Sequence, residues 1–119
     1  LESAVPLIQC RNRKAPFVYA TNHYITPALK DADRRKPAAK PVTVNRLAWL
    51  QWTASTRPPT CLPEMKALLS CHEPWAPCRH GGPHLSHTEW SLIALPARRE
   101  ILLAPGAPCS VPYQSFNFG

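Results

Sequence analysis

Cys71, His72, Cys78, His80, His84 and His87 crowd into residues 71–87 of the chain. Two thiolates and two neutral imidazoles form the donor set that a tetrahedral zinc ion takes. Within this cluster the spacing C-x6-C-x5-H-x2-H selects Cys71, Cys78, His84 and His87, because H-x2-H brings both rings near one side of a turn. Zinc knuckles usually set their two cysteines about two to four residues apart. The wider spacing here weighs against a metal, so the leading expectation is a chain without metal or other cofactor.

Thiol–thiol chemistry is the competing use of the same residues. The chain has five cysteines, so at least one stays unpaired within it. The stretch T-C-L-P-E-M-K-A-L-L-S-C-H, residues 60–72, places Cys61 and Cys71 ten positions apart. Along a helix that is about 15 Å, so the two cannot bond to each other while the helix is intact. Each needs a partner on another segment, and an antiparallel second helix would supply both and staple a hairpin. Catalysis is not expected. The chain lacks a Gly-rich phosphate loop, G-x-S-x-G and H-E-x-x-H. Its few carboxylates form no acid–base pair. Cys71 beside His72 has no third group to orient the imidazole.

The elements that must position these residues are short. The 15 prolines in 119 residues each fix φ and lack an N–H, so helices and central strands are expected to be short. The expected fold class is mainly irregular and extended, with a few short α-helices. Three units follow: a basic extended arm at 1–44, a short helical unit at 45–96 and a proline-rich tail at 97–119. In the arm, short strands are possible at Phe17–Tyr19 and Val42–Val44. Residues 45–55 read as a helix capped by Asn45, with Leu47, Leu50 and Ala54 near one face. Residues 60–71 read as the clearest helix. Thr60 caps it, Pro63 sits harmlessly in the first turn, and Glu64 faces the positive end of the dipole. Residues 86–95, S-H-T-E-W-S-L-I-A-L, read as another helix, with Ser86 and Glu89 as a capping box and Pro96 as its stop. A helical extension through 97–103 is the expectation for the residues that follow. Together these segments predict a helix–loop–helix at about 60–95.

The charge is placed unevenly. The net charge is +7, and residues 1–60 hold ten basic and three acidic side chains, so the whole excess lies there. Arg11, Arg13, Lys14, Lys30, Arg34, Arg35, Lys36, Lys40 and Arg46 are the candidate RNA contacts, since Arg and Lys meet phosphates without a fixed fold. Phe17, Tyr19, His23 and Tyr24 lie between the basic clusters and suit stacking on unpaired bases. A solvated basic tail is the plain alternative.

C-x9-C on a helix resembles half of the twin motif of the CHCH, or Cx9C, family. The stretch T-C-L-P-E-M-K-A-L-L-S-C is similar to the first helix of the CHCH-type proteins of the mitochondrial small ribosomal subunit. The resemblance covers about twelve residues. It implies a disulfide-stapled α-hairpin, a mitochondrial location and a structural role beside ribosomal RNA and neighbouring ribosomal proteins. It implies disulfides among Cys61, Cys71, Cys78 and Cys109. Cys71–Cys78 would form the inner bridge. Cys109 would stand in as the partner of Cys61, because the second C-x9-C would end at Thr88.

The expected function is therefore a structural subunit of a large ribonucleoprotein, such as a mitochondrial ribosomal protein, that contacts rRNA through its basic arm. Trp49, Trp52, Trp75 and Trp90 would be its apolar anchors on protein neighbours. The alternatives are an accessory subunit of a respiratory complex and a small disulfide-stabilised protein-binding module without RNA. No apolar run approaches the roughly 18–20 residues that cross a membrane. The first residue is Leu1, which suits either a mature form or a fragment.

Overall fold

The computed structural model describes Thr21, residues 40–81 and residues 87–119. Helix α1 spans Lys40–Thr56 and helix α2 spans Leu62–Leu69. Three antiparallel strands follow in the order β1-β2-β3: β1 Ser91–Leu95, β2 Glu100–Ala104 and β3 Gln114–Asn117. This corrects the expected fold class. The described chain is two helices plus a sheet, and no CHCH-like α-hairpin forms.

Helix α1 begins five residues earlier than its sequence signal. Pro41 stands in its first turn, where a missing N–H is tolerated. Val42–Val44, expected as a short strand, is helical, and Asn45 is interior and not a cap. Thr43, Leu47 and Thr53 are its buried positions. The Thr21 hydroxyl donates to the Thr43 carbonyl at 2.8 Å. The helix ends before Pro58 and Pro59, which cannot continue it.

Helix α2 forms where the sequence placed it, but its entry is built differently. Cys61 is the N-cap and makes no side-chain cap bond. Thr60 lies one position further out. There the Glu64 carboxylate accepts from its backbone N–H at 2.6 Å and its hydroxyl at 2.9 Å. Those two bonds hold the Glu64 carboxyl below the usual carboxylate range. No α2 residue is buried. The helix is tied back to α1 by the Arg57–Glu73 ion pair, with the Arg57 guanidinium 5.0 Å from the Trp52 ring centroid and 5.9 Å from that of Trp49.

The predicted helix at 86–95 is instead an extended segment ending in β1. Its apolar run S-L-I-A-L is five residues long, short enough to serve either structure. The partner decides. E-I-L-L-A in β2 pairs with it antiparallel, setting Ile93 opposite Leu102 and Ser91 opposite Ala104. All four of these residues are buried, so the alternation of a strand hides what a helix would leave split between faces. Residues 96–99 make the hairpin turn, in which Arg99 takes φ 51° and donates its N–H to the Pro96 carbonyl at 3.0 Å. Residues 97–103 are accordingly turn and strand, not helix. The boundary expected at 96/97 falls inside this hairpin, and the tail supplies β2 and β3.

The core is thin. Leu47, Ala76, Cys78, Ile93, Leu102 and Ala104 are the buried hydrophobic residues among those described, and none of the larger side chains is fully enclosed. Among the described residues, the densest pairings between elements lie within the sheet and its hairpin turn.

Candidate functional site

The segment joining α2 to the sheet begins with a turn. The Ala76 N–H reaches the Glu73 carbonyl at 2.9 Å across Pro74 and Trp75. Trp75 sits at φ 71° in the left-handed region, behind a proline that suits the preceding turn position. The chain then extends. Thr88 holds the extended stretch in place. Its hydroxyl accepts from the Arg79 N–H at 2.9 Å and donates to the Pro77 carbonyl at 3.1 Å, and its own N–H meets the Arg79 carbonyl at 2.8 Å. His80 and His87 pair across the same bridge.

In extended backbone, residues two apart share a side. Cys78 and His80 are two apart, and both reach a common point with His72 and Cys109. The ligand atoms of these four residues all lie within 4.8 Å of one another. His80 Nε2 is 3.1 Å from His72 Nε2, 3.1 Å from Cys109 Sγ and 3.7 Å from Cys78 Sγ. Cys109 arrives from the turn between β2 and β3, where the N–H groups of Ser110 and Val111 both reach the Ala107 carbonyl. Gly106 precedes that turn, and a Cβ there would stand 2.7 Å from Val111 Cγ2. Cys78 is buried, and desolvation pushes its thiol above the usual value.

This arrangement differs from the zinc set drawn from spacing. Of the described members of that set, Cys71, Cys78 and His87, Cys78 alone belongs to the cluster. His84 lies outside the described residues. His87 pairs with His80 through the backbone, and the Cys71 thiol faces the Glu73 carboxylate at 3.4 Å. The missed members are His72, His80 and Cys109. The signal for His80 was C-x-H in a segment that is extended. Cys109 stands 29 positions from His80, and no local pattern announces it. The four cysteines expected in disulfides, Cys61, Cys71, Cys78 and Cys109, are free thiols. Cys61 and Cys71 stand at opposite ends of α2, while Cys78 and Cys109 turn toward the two histidines.

Behind the bridge lies a recess of about 250 Å³ lined by Arg46, Arg79, His87 and Trp90, among others. Burial, and then the neighbouring Arg79 charge, pull the half-buried Arg46 guanidinium below its usual value. The described ion pairs join Arg57 to Glu73 and Arg98 to Glu100, so neither Arg46 nor Arg79 meets a carboxylate among the described residues. Trp90 is 60% exposed at the rim. Of the basic residues proposed as RNA contacts, Arg46 is thus placed in a recess and Lys40 opens α1. Arg11, Arg13, Lys14, Lys30, Arg34, Arg35 and Lys36 lie outside the described residues, as do Phe17, Tyr19, His23 and Tyr24. Of the expected apolar anchors, Trp52 and Trp75 are exposed like Trp90, and Trp49 is half-buried.

The class these features define is a small α+β chain with a Cys2His2 cluster beside a basic recess. Comparison with protein-family models, with curated proteins and with solved structures finds no match for it. Among the described residues, no helix is long and apolar enough to cross a membrane.

Proposed function

We propose that this chain is a non-catalytic, RNA-contacting structural subunit of a ribonucleoprotein. The observation that carries this reading is the pair Arg46 and Arg79, two guanidiniums in one recess with no carboxylate paired to them among the described residues. An arginine keeps its proton under almost any conditions, so a half-buried pair of like charges favours an anion beside it. Phosphate fits the planar fork of each guanidinium. Trp90 at the rim offers a face on which an unpaired base can stack. The excess charge of the N-terminal half extends the same preference over a longer strand. The resemblance to CHCH-type proteins names the mitochondrial ribosome as one such particle. RNA contact of this kind rests on charge and stacking and does not require that address.

The test is binding of a fluorescent single-stranded RNA by the full chain over a salt series. Affinity falls steeply as salt rises. For single strands the log–log slope is about −0.7 per phosphate neutralised, so replacing both Arg46 and Arg79 by Gln should flatten it by roughly 1.4. Trp90→Ala should weaken binding by about 1–3 kcal/mol without changing the slope. An affinity indifferent to salt and to Arg46→Gln would remove the RNA role. Equal binding to an acidic polypeptide would remove its preference for nucleic acid.

A further inference from the structure

We infer that His72, Cys78, His80 and Cys109 form a structural zinc site that joins the helical half of the chain to the sheet. The geometry carries this independently of any RNA. A tetrahedral zinc with Zn–S of about 2.3 Å and Zn–N of about 2.0–2.1 Å has ligand–ligand edges of roughly 3.3–3.8 Å. The contacts at His80 Nε2 run from 3.1 to 3.7 Å, and all four ligand atoms lie within 4.8 Å of one another. Hydrogen bonding does not account for this convergence. One imidazole nitrogen makes a single in-plane bond, as donor or as acceptor. His80 Nε2 has three neighbours at bonding range, and all three are the tips of side chains that bind metals.

The donor set selects the ion. Two thiolates and two imidazoles at the corners of a tetrahedron suit zinc, whereas calcium and magnesium take oxygen ligands. Two thiolates also balance the charge of a divalent ion, so the site is neutral overall. Four protein ligands leave no open position for water or substrate, which makes the role structural and not catalytic. The ligands come from both sides of the molecule. His72, Cys78 and His80 follow α2, while Cys109 belongs to the turn between β2 and β3. The ion thus adds a cross-link to a thin core, and closes a loop of 29 positions between His80 and Cys109.

The experiment is metal binding by the full chain purified under reducing conditions. Native mass spectrometry should find one zinc per chain. Titration of the metal-free protein with Co2+ should give the intense visible absorption of a tetrahedral sulfur–nitrogen site, which Zn2+ then bleaches. Cys109→Ser and His72→Ala should each weaken zinc affinity more than about tenfold. Cys61→Ser and His87→Ala should leave it unchanged. Peptide mapping after alkylation should show Cys78 and Cys109 protected until a chelator is added. A wild-type chain that shows helical circular dichroism but gives no tetrahedral Co2+ spectrum would overturn the site. So would loss of affinity on Cys61→Ser but not on Cys109→Ser, or a Cys78–Cys109 disulfide persisting in reducing buffer.

Discussion

The helical half and the sheet are stabilised in opposite ways. Helix α2 has no fully buried residue, with Leu62, Met65, Leu68 and Leu69 only half-buried, and exposed polar contacts flank it: the Glu64–Thr60 bonds at one end and the Arg57–Glu73 pair at the other. The β1–β2 hairpin buries Ile93 against Leu102 through a turn of four residues. The first kind of order is screened by salt and contributes little per contact. The second kind removes apolar surface from water and is local in sequence. One region therefore depends on solvent conditions and on links to the rest of the chain, while the other depends on packing.

The comparison is broken most strongly in the sheet. Leu102→Ala should cost about 2–3 kcal/mol, since Leu102 is 7% exposed and its cavity opens onto Ile93. In a chain with so thin a core that is a large share of the total, and hydrogen exchange should show β1 and β2 losing protection together. Next comes Thr88, whose hydroxyl bridges Pro77 and Arg79. Thr88→Val should cost about 1–2 kcal/mol by leaving the Arg79 N–H without that acceptor. It should also loosen zinc without touching a ligand, which a zinc titration would read.

Smaller effects sharpen the helical side. Glu64 has its carboxyl pKa lowered by the Thr60 bonds. Its contribution is therefore present above the ordinary carboxylate range and is lost as pH falls through the depressed folded value. Glu64→Gln should flatten that acid limb in an α2 exchange measurement, and a limb that stays unchanged would assign it to another carboxylate. The smallest change is at the hairpin turn. Arg99→Gly relieves a side chain held at φ 51° but gives up its 3.1 Å bond to the Gly119 carbonyl. The net shift should stay within about 1 kcal/mol, seen in thermal melts.

Helix α2 was legible because its signals are adjacent in the chain: Pro63 in the first turn, Glu64 beside it and an apolar stripe behind. The end of α1 was legible for the same reason, at Pro58 and Pro59. Its start was not, because Pro41 reads as a break in an extended arm and also serves as a first-turn residue. Residues 91–95 misled because a five-residue apolar run has no period of its own, and the capping pair Ser86 and Glu89 spoke for a helix. The Cys2His2 cluster was less legible. Spacing pointed to the segment 71–87 and to residues that a turn would gather, whereas the described cluster aligns Cys78 and His80 along an extended segment.

By itself the amino-acid order determined where the chain must break, which half carries the charge and that α2 is helical. Each of these depends on residues within a turn or two of one another. Tertiary structure alone decided that Ser91–Leu95 is a strand, that Cys109 meets His72, Cys78 and His80, and that Arg46 shares a recess with Arg79. Those outcomes join positions tens of residues apart, where the free energy of pairing and ligation lies in the contact and not in either segment.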